Sequence, residues 1–294
     1  MCQFSNVPVS MWLQLFDLKI VPILQYGSEI WGFHQGDDIE IVHNKFCKFV
    51  LCLGGSAPNI AARGELGRQK MATFRYIKII KYWLKLLNAD QNRYIRVCYQ
   101  YQYEKAERNG DCWGLNVKNL LYSLGFGIVW ENQGVGNELV FISEFKQRCF
   151  DVGGQQWHET LAETSKLDTY RLYKNNLNTE DYTLIIKNRK YLSALSRFRC
   201  SNHKLQIEAG RHVGLTRDDR ICMLCNLNEI ENEIHFLLKC PLYDDLRSKY
   251  NLVPVSHCDR LEDVFVRVML TSDKWKLASY LYHAESRRDS VLSL

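Results

Sequence analysis

Apolar residues along this chain recur mostly every three or four positions, the spacing of one helical face. Between Asp38 and Leu53 the series is Ile39, Val42, Phe46, Phe49, Val50 and Leu53, and Gly54-Gly55-Ser56 followed by Pro58 marks its end. The pattern predicts further helices over 59–66, 71–87, 89–109, 113–124, 137–151 (closed by Gly153-Gly154), 155–166 and 181–199. In the 71–87 helix, Phe74, Ile77, Ile80, Leu84 and Leu87 share a face. The stretch Leu18–Gly27 is apolar but interrupted by Pro22. The expected fold class is mainly α: helical bundles, then a small cysteine-rich segment and a short helical tail. In that tail Val264, Val268, Leu277, Leu281 and Tyr282 face inward. Asn109-Gly110-Asp111 reads as a turn and a boundary.

Composition narrows this picture modestly. The 294 residues suffice for one large or two modest domains. Hydrophobic residues at 46%, with only 5 prolines and 17 glycines, suit a folded helical chain and exclude long disordered linkers. A net charge of +5 permits a nucleic-acid partner without requiring one. No apolar run is long enough for a membrane span. The 11 cysteines are odd in number, and no secretory signal precedes them. Reduced thiols inside a cell, in nucleus or cytoplasm, are the expectation.

The densest chemistry lies in CMLCNLNEIENEIHFLLKC, residues 222–240. Cys222 and Cys225 have the C-x2-C spacing that lets two thiolates grip one ion from a single turn. His235 is expected near the start of a short helix beginning around Glu229. Cys240 should lie just past its end, where Pro241 stops it and allows a return toward the first pair. A Cys3His set closes a tetrahedral structural Zn²⁺ site. Chance is the competing explanation in a chain so rich in cysteine. Cys47, Cys52 and Cys258 (beside His257) read as no second site.

A basic stretch precedes this motif. Lys187, Arg189, Lys190, Arg197, Arg199, Lys204, Arg211, Arg217 and Arg220 stand against Glu208, Asp218 and Asp219. On one continuous helix, Lys187, Lys190 and Arg197 would face outward and Ile185, Leu192, Leu195 and Phe198 inward. Lys187, Lys190, Arg197, Arg199, Lys204, Arg211, Arg217 and Arg220 are therefore the candidate phosphate contacts for RNA or DNA. The alternative is an ordinary solvated helix face.

At these residues the chain resembles the C-terminal part of reverse transcriptases from non-LTR (LINE-like) retrotransposons. The carriers are Arg217–Cys222, the H-F-L-L-x-C-P run at 235–241, and Tyr243 to Arg247. Upstream, Val21–Gly32 is similar to that family's P-x-L-x-Y-G-x-E-x-W-G stretch, and Glu65–Arg68 to its E-L-G-R segment. Trp157, Tyr170, Lys174 and Arg197–Leu205 resemble its helical linker. The resemblance runs from about residue 12 to 290. It implies a thumb-like helical region over 1–109, a helical linker over 110–214, a zinc-binding segment over 215–250 and a helical tail over 251–294.

It also implies what to look for in catalysis. DNA synthesis needs paired palm aspartates that hold two metal ions. The family's motif is an aromatic, any residue, then Asp-Asp. In Leu242-Tyr243-Asp244-Asp245 the aromatic is one place too late, and Asp244 and Asp245 read as a solvated helix start. Asp37-Asp38 and Asp218-Asp219 fit no better. No catalytic residue is assigned. The expected function is zinc-dependent RNA or DNA binding without synthesis by this chain, and no small-molecule substrate or membrane is expected. Two alternatives remain: part of an RNA-directed DNA polymerase acting only with a palm-bearing partner, or a host protein-interaction module with a degenerate knuckle.

Overall fold

The computed structural model describes residues 7–34, 36–252 and 260–293. Cys258 and His257 lie outside the described residues. The fold is mainly helical, with two isolated β-bridges and no strand among the described residues.

The chain forms two compact units, each discontinuous in sequence. One draws on residues 15–43 and 69–156, the other on residues 1–14, 44–68 and 157–294. The expected boundary at 109/110 falls inside the first of these and that at 214/215 inside the second.

In the 15–43/69–156 unit the Met71–Leu87 helix is central. Ile77, Ile80 and Leu84 are buried, as the periodicity predicts, but so are Ile79, Trp83 and Leu86 on other faces. A helix apolar on several sides is surrounded rather than amphipathic. Trp83 stacks on Trp130 at 6.1 Å and donates its indole N–H to the Tyr99 hydroxyl at 2.7 Å. That hydroxyl in turn donates to Gln133 at 2.6 Å. Burial pushes the Tyr99 phenol up to about 12.

The Glu138–Glu163 helix runs through Gly153-Gly154, where the sequence pattern predicts an end. Two glycines weaken a helix without stopping it, at roughly 1 kcal/mol each. A Cβ at Gly153 would meet only the end of the flexible Gln69 side chain, and one at Gly154 nothing within 4 Å, so packing demands neither glycine.

In the other unit the core joins distant segments. Val50, Leu51, Ile60 and Ala61 pack with Leu192, Leu195 and Phe198, and with Val264, Val268, Leu277 and Leu281. The cysteine-rich segment is part of this core. Phe236 lies 4.7 Å from Tyr243, centroid to centroid, and its carbonyl accepts the Tyr280 hydroxyl at 3.1 Å. At Gly64 a Cβ would sit 2.6 Å from the Tyr170 hydroxyl and 2.9 Å from the Trp157 ring, so only glycine admits these two aromatics. Trp157 donates its indole N–H to Ile60 O at 3.0 Å.

The predicted 181–199 helix is two helices, Asp181–Ile185 and Arg189–Arg199. Ile186 and Asn188 are extended between them, and the Asn188 side chain accepts the Lys190 N–H at 3.0 Å, capping the second. The break changes which residues share a face: Ile185 is 51% exposed, not inward. Leu192, Leu195 and Phe198 are buried as expected.

Candidate metal centre and basic face

The four candidate ligands come together by two local devices. The first is a short antiparallel pairing of Ile221 with Ile230. Cys222 N–H donates to Glu229 O at 2.8 Å and Glu231 N–H to Arg220 O at 2.9 Å, so Cys222 and Cys225 sit on the loop between the paired segments. The second is a π-type turn, His235–Lys239. Its widened ring closes when Cys240 N–H donates to His235 O at 2.9 Å. The turn therefore brings the histidine and the third cysteine to one end. Such turns often mark functional positions in helices.

Glu229 belongs to the paired segment rather than to a helix start, and Asn232 caps the π-type turn by accepting the His235 N–H at 2.8 Å. Pro241 opens a short 3-10 turn, and Arg247 donates to Cys240 O at 2.6 Å.

The ligand atoms of Cys222, Cys225, His235 and Cys240 all lie within 4.8 Å of one another. His235 Nε2 is 3.5 Å from Cys225 Sγ. A tetrahedral ion with bonds of roughly 2.3 Å to sulfur and 2.0 Å to nitrogen has an S···N edge of about that length. Cys222, His235 and Cys240 are buried and Cys225 is half-buried. The set can hold a metal ion, and no other group of this kind occurs among the described residues.

Among themselves the donors share protons. The Cys222 thiol points at Cys240, which with burial pushes Cys222 up to about 12 and draws Cys240 below the ordinary thiol range. Burial raises Cys225. Burial alone would lower His235, but the Cys222 sulfur and the Glu229 carboxylate outweigh it and raise it. A bound cation displaces such protons, so affinity for it rises with pH.

The acidic residues between the cysteines and the histidine are structural partners. Glu231 is buried and bidentate with Arg288, both contacts at 2.8 Å. Glu233 is buried and 3.0 Å from His203. Glu229 reaches His235 and Lys239. Sequence reasoning missed all three pairings, because the partners lie on other elements or across the turn.

The eight basic candidates separate. Arg199 is a correction: it is 2% exposed and cannot meet a phosphate. Its guanidinium donates to Glu65 at 2.6 and 3.1 Å, lies 2.8 Å from Glu180, and stacks over Tyr173 at 4.7 Å. The preceding Phe198 is inward too, so two successive positions of this helix face the core. Arg220 donates to the Leu215 and Ile207 carbonyls at 2.8 and 2.9 Å, closing a loop. Arg211 pairs with Glu208 at 3.3 Å, Arg217 with Asp168 at 2.8 Å and Lys204 with Asp289 at 2.7 Å. Lys187, Lys190 and Arg197 are exposed and make no side-chain hydrogen bond or ion pair among the described residues. Lys190 and Arg197 are seven apart on one helix and share a face. Lys187 precedes that helix rather than lying on it.

Asp244 and Asp245 occupy the first turn of Asp244–Lys249. Asp244 contacts Arg247 at 2.5 Å and Asp245 pairs with Arg287. The Arg287 guanidinium holds the exposed Asp245 carboxyl down at about 2. No described helix is long and apolar enough to cross a membrane. Compared with protein-family models, curated proteins and solved structures, the chain matches none.

Proposed function

We propose that this chain is a zinc-stapled nucleic-acid-binding protein related to the C-terminal region of non-LTR retrotransposon reverse transcriptases. The observation that carries the reading is the convergence of Cys222, Cys225, His235 and Cys240 within 4.8 Å. Three soft thiolates and one imidazole, with no open position, suit structural Zn²⁺. The ion would tie the paired segment at 221–230 to the π-type turn at 235–239. Two stretches that carry the resemblance also meet: Glu65 pairs with Arg199.

RNA or DNA would lie along Lys187, Lys190 and Arg197, with exposed Lys204 able to leave its surface partner. Phosphate contacts of this kind give affinity with little sequence preference. The reading assigns no catalytic step to Asp244 or Asp245, and primer extension by this chain is not expected.

The test titrates single-stranded RNA and duplex DNA against the wild type and a Lys190→Glu/Arg197→Glu double variant. Wild-type affinity should be micromolar or weaker at physiological salt and fall steeply as salt rises. The double variant should bind every sequence more weakly and with a flatter salt slope, at unchanged thermal stability. Equal binding by both proteins retires this face as the nucleic-acid contact.

A further inference from the structure

Glu229 touches the ligand set twice. Its carbonyl oxygen accepts the Cys222 N–H at 2.8 Å. Its carboxylate Oε2 lies 3.3 Å from His235 Nδ1. The opposite ring nitrogen, Nε2, faces the sulfurs, 3.5 Å from Cys225 Sγ. The His235 side chain is 2% exposed, so water does not compete at either nitrogen. The other carboxylate oxygen, Oε1, is held by Lys239 Nζ, from the last position of the π-type turn that His235 begins.

We propose that Glu229 is a positioning residue of the metal centre: it accepts the His235 Nδ1–H and so fixes the imidazole as an Nε2 ligand. The inference rests on the metal reading above. A neutral imidazole carries its proton on one nitrogen and ligates through the other. An acceptor at Nδ1 selects the ligating tautomer, sets the ring's angle and makes Nε2 a better donor. Lys239 completes the arrangement. Three thiolates around a dication leave a net negative charge, and Glu229 adds to it. The ammonium offsets that charge and aims the carboxylate, leaving Oε2 for the ring. A plain surface ion pair between Glu229 and Lys239 would leave metal affinity unchanged.

The experiment measures zinc affinity of the full chain by competition with a chromophoric chelator. Far-UV circular dichroism at saturating zinc serves as the folding control. Glu229→Ala should bind zinc roughly 10–100-fold more weakly with unchanged helical signal. Glu229→Gln, whose amide oxygen still accepts Nδ1–H, should recover most of the loss. Glu229→Asp keeps the charge but falls short of the ring, and should not. Should the alanine variant fail to fold, the Gln and Asp variants carry the comparison alone. Wild-type affinity in Glu229→Asp, or a loss in Glu229→Gln as large as in Glu229→Asp, would overturn the positioning role. Absence of zinc uptake by the wild type would remove the metal reading itself, and this inference with it.

Discussion

Arg197 and Arg199 sit two positions apart on one helix and face opposite environments. Arg197 is exposed, while Arg199 is enclosed by Glu65, Glu180, Tyr173 and Tyr182. Truncating one partner of a buried ion pair leaves the other charge uncompensated, which typically destabilises by about 3–5 kcal/mol. Arg199→Ala should therefore lower the unfolding free energy, read from urea titration, by an amount in that range, whereas Arg197→Ala should leave it nearly unchanged. The same pair predicts an acid response. Burial alone would raise the Glu65 carboxyl, but the Arg199 guanidinium outweighs it and holds it below its ordinary 4.5. A carboxyl depressed in the folded state binds fewer protons there than when unfolded. Its stabilisation is then full above pH 4.5 and lost as pH falls through the folded value. Urea midpoints recorded from about pH 7 down to about pH 3 should show that loss in the wild type and lack this component in Glu65→Gln. Helical spacing already separates the two arginines, since Arg199 follows Leu192 by seven positions and Leu195 by four, on the inward face, but grouping the basic residues by charge alone overrides it. The partners of Arg199 lie far away in the chain, and a charge count treats buried and exposed guanidinium groups alike.

Helix existence was legible where apolar residues recur over several turns, as in Met71–Leu87 and in the Leu192, Leu195, Phe198 face. Boundaries were less so. Gly153-Gly154 resembles a stop but is spanned, since two glycines weaken a helix without ending it. The break at Ile186–Asn188 was hidden, since Asn188 serves equally as a mid-helix polar residue or a cap. Its cap role has a direct check. Asn188→Ala should cost about 1 kcal/mol by removing the acceptor of the Lys190 N–H. Chemical denaturation of that variant measures it, and a loss near zero would show that water replaces the cap. The π-type turn at His235–Lys239 was not readable either. C-x2-C and Cys-Pro gave the ligand identities, but a wide turn has no periodic signature, and it is what sets His235 against Cys240.

At the scale of the molecule, the metal-ligand segment is not an appended module. Phe236, Leu237 and Leu238 share a core with the Arg189–Arg199 and Lys274–Leu292 helices. The 215–250 bounds come from the family resemblance and the local cluster of ligands, and apolar contacts between distant segments leave no local trace in the sequence. The consequence is that metal removal should loosen the unit that also presents Lys190 and Arg197, rather than unfold a peripheral knuckle alone. Metal binding energy becomes folding energy wherever the site forms only in the folded chain.

The most direct test of the account is the metal content of the full chain purified without chelator, compared with Cys240→Ser. Elemental analysis should give one zinc per wild-type chain and a large loss in the variant. A wild-type chain with no zinc, or full zinc retained in Cys240→Ser, would contradict the Cys222, Cys225, His235 and Cys240 site on which the functional reading stands.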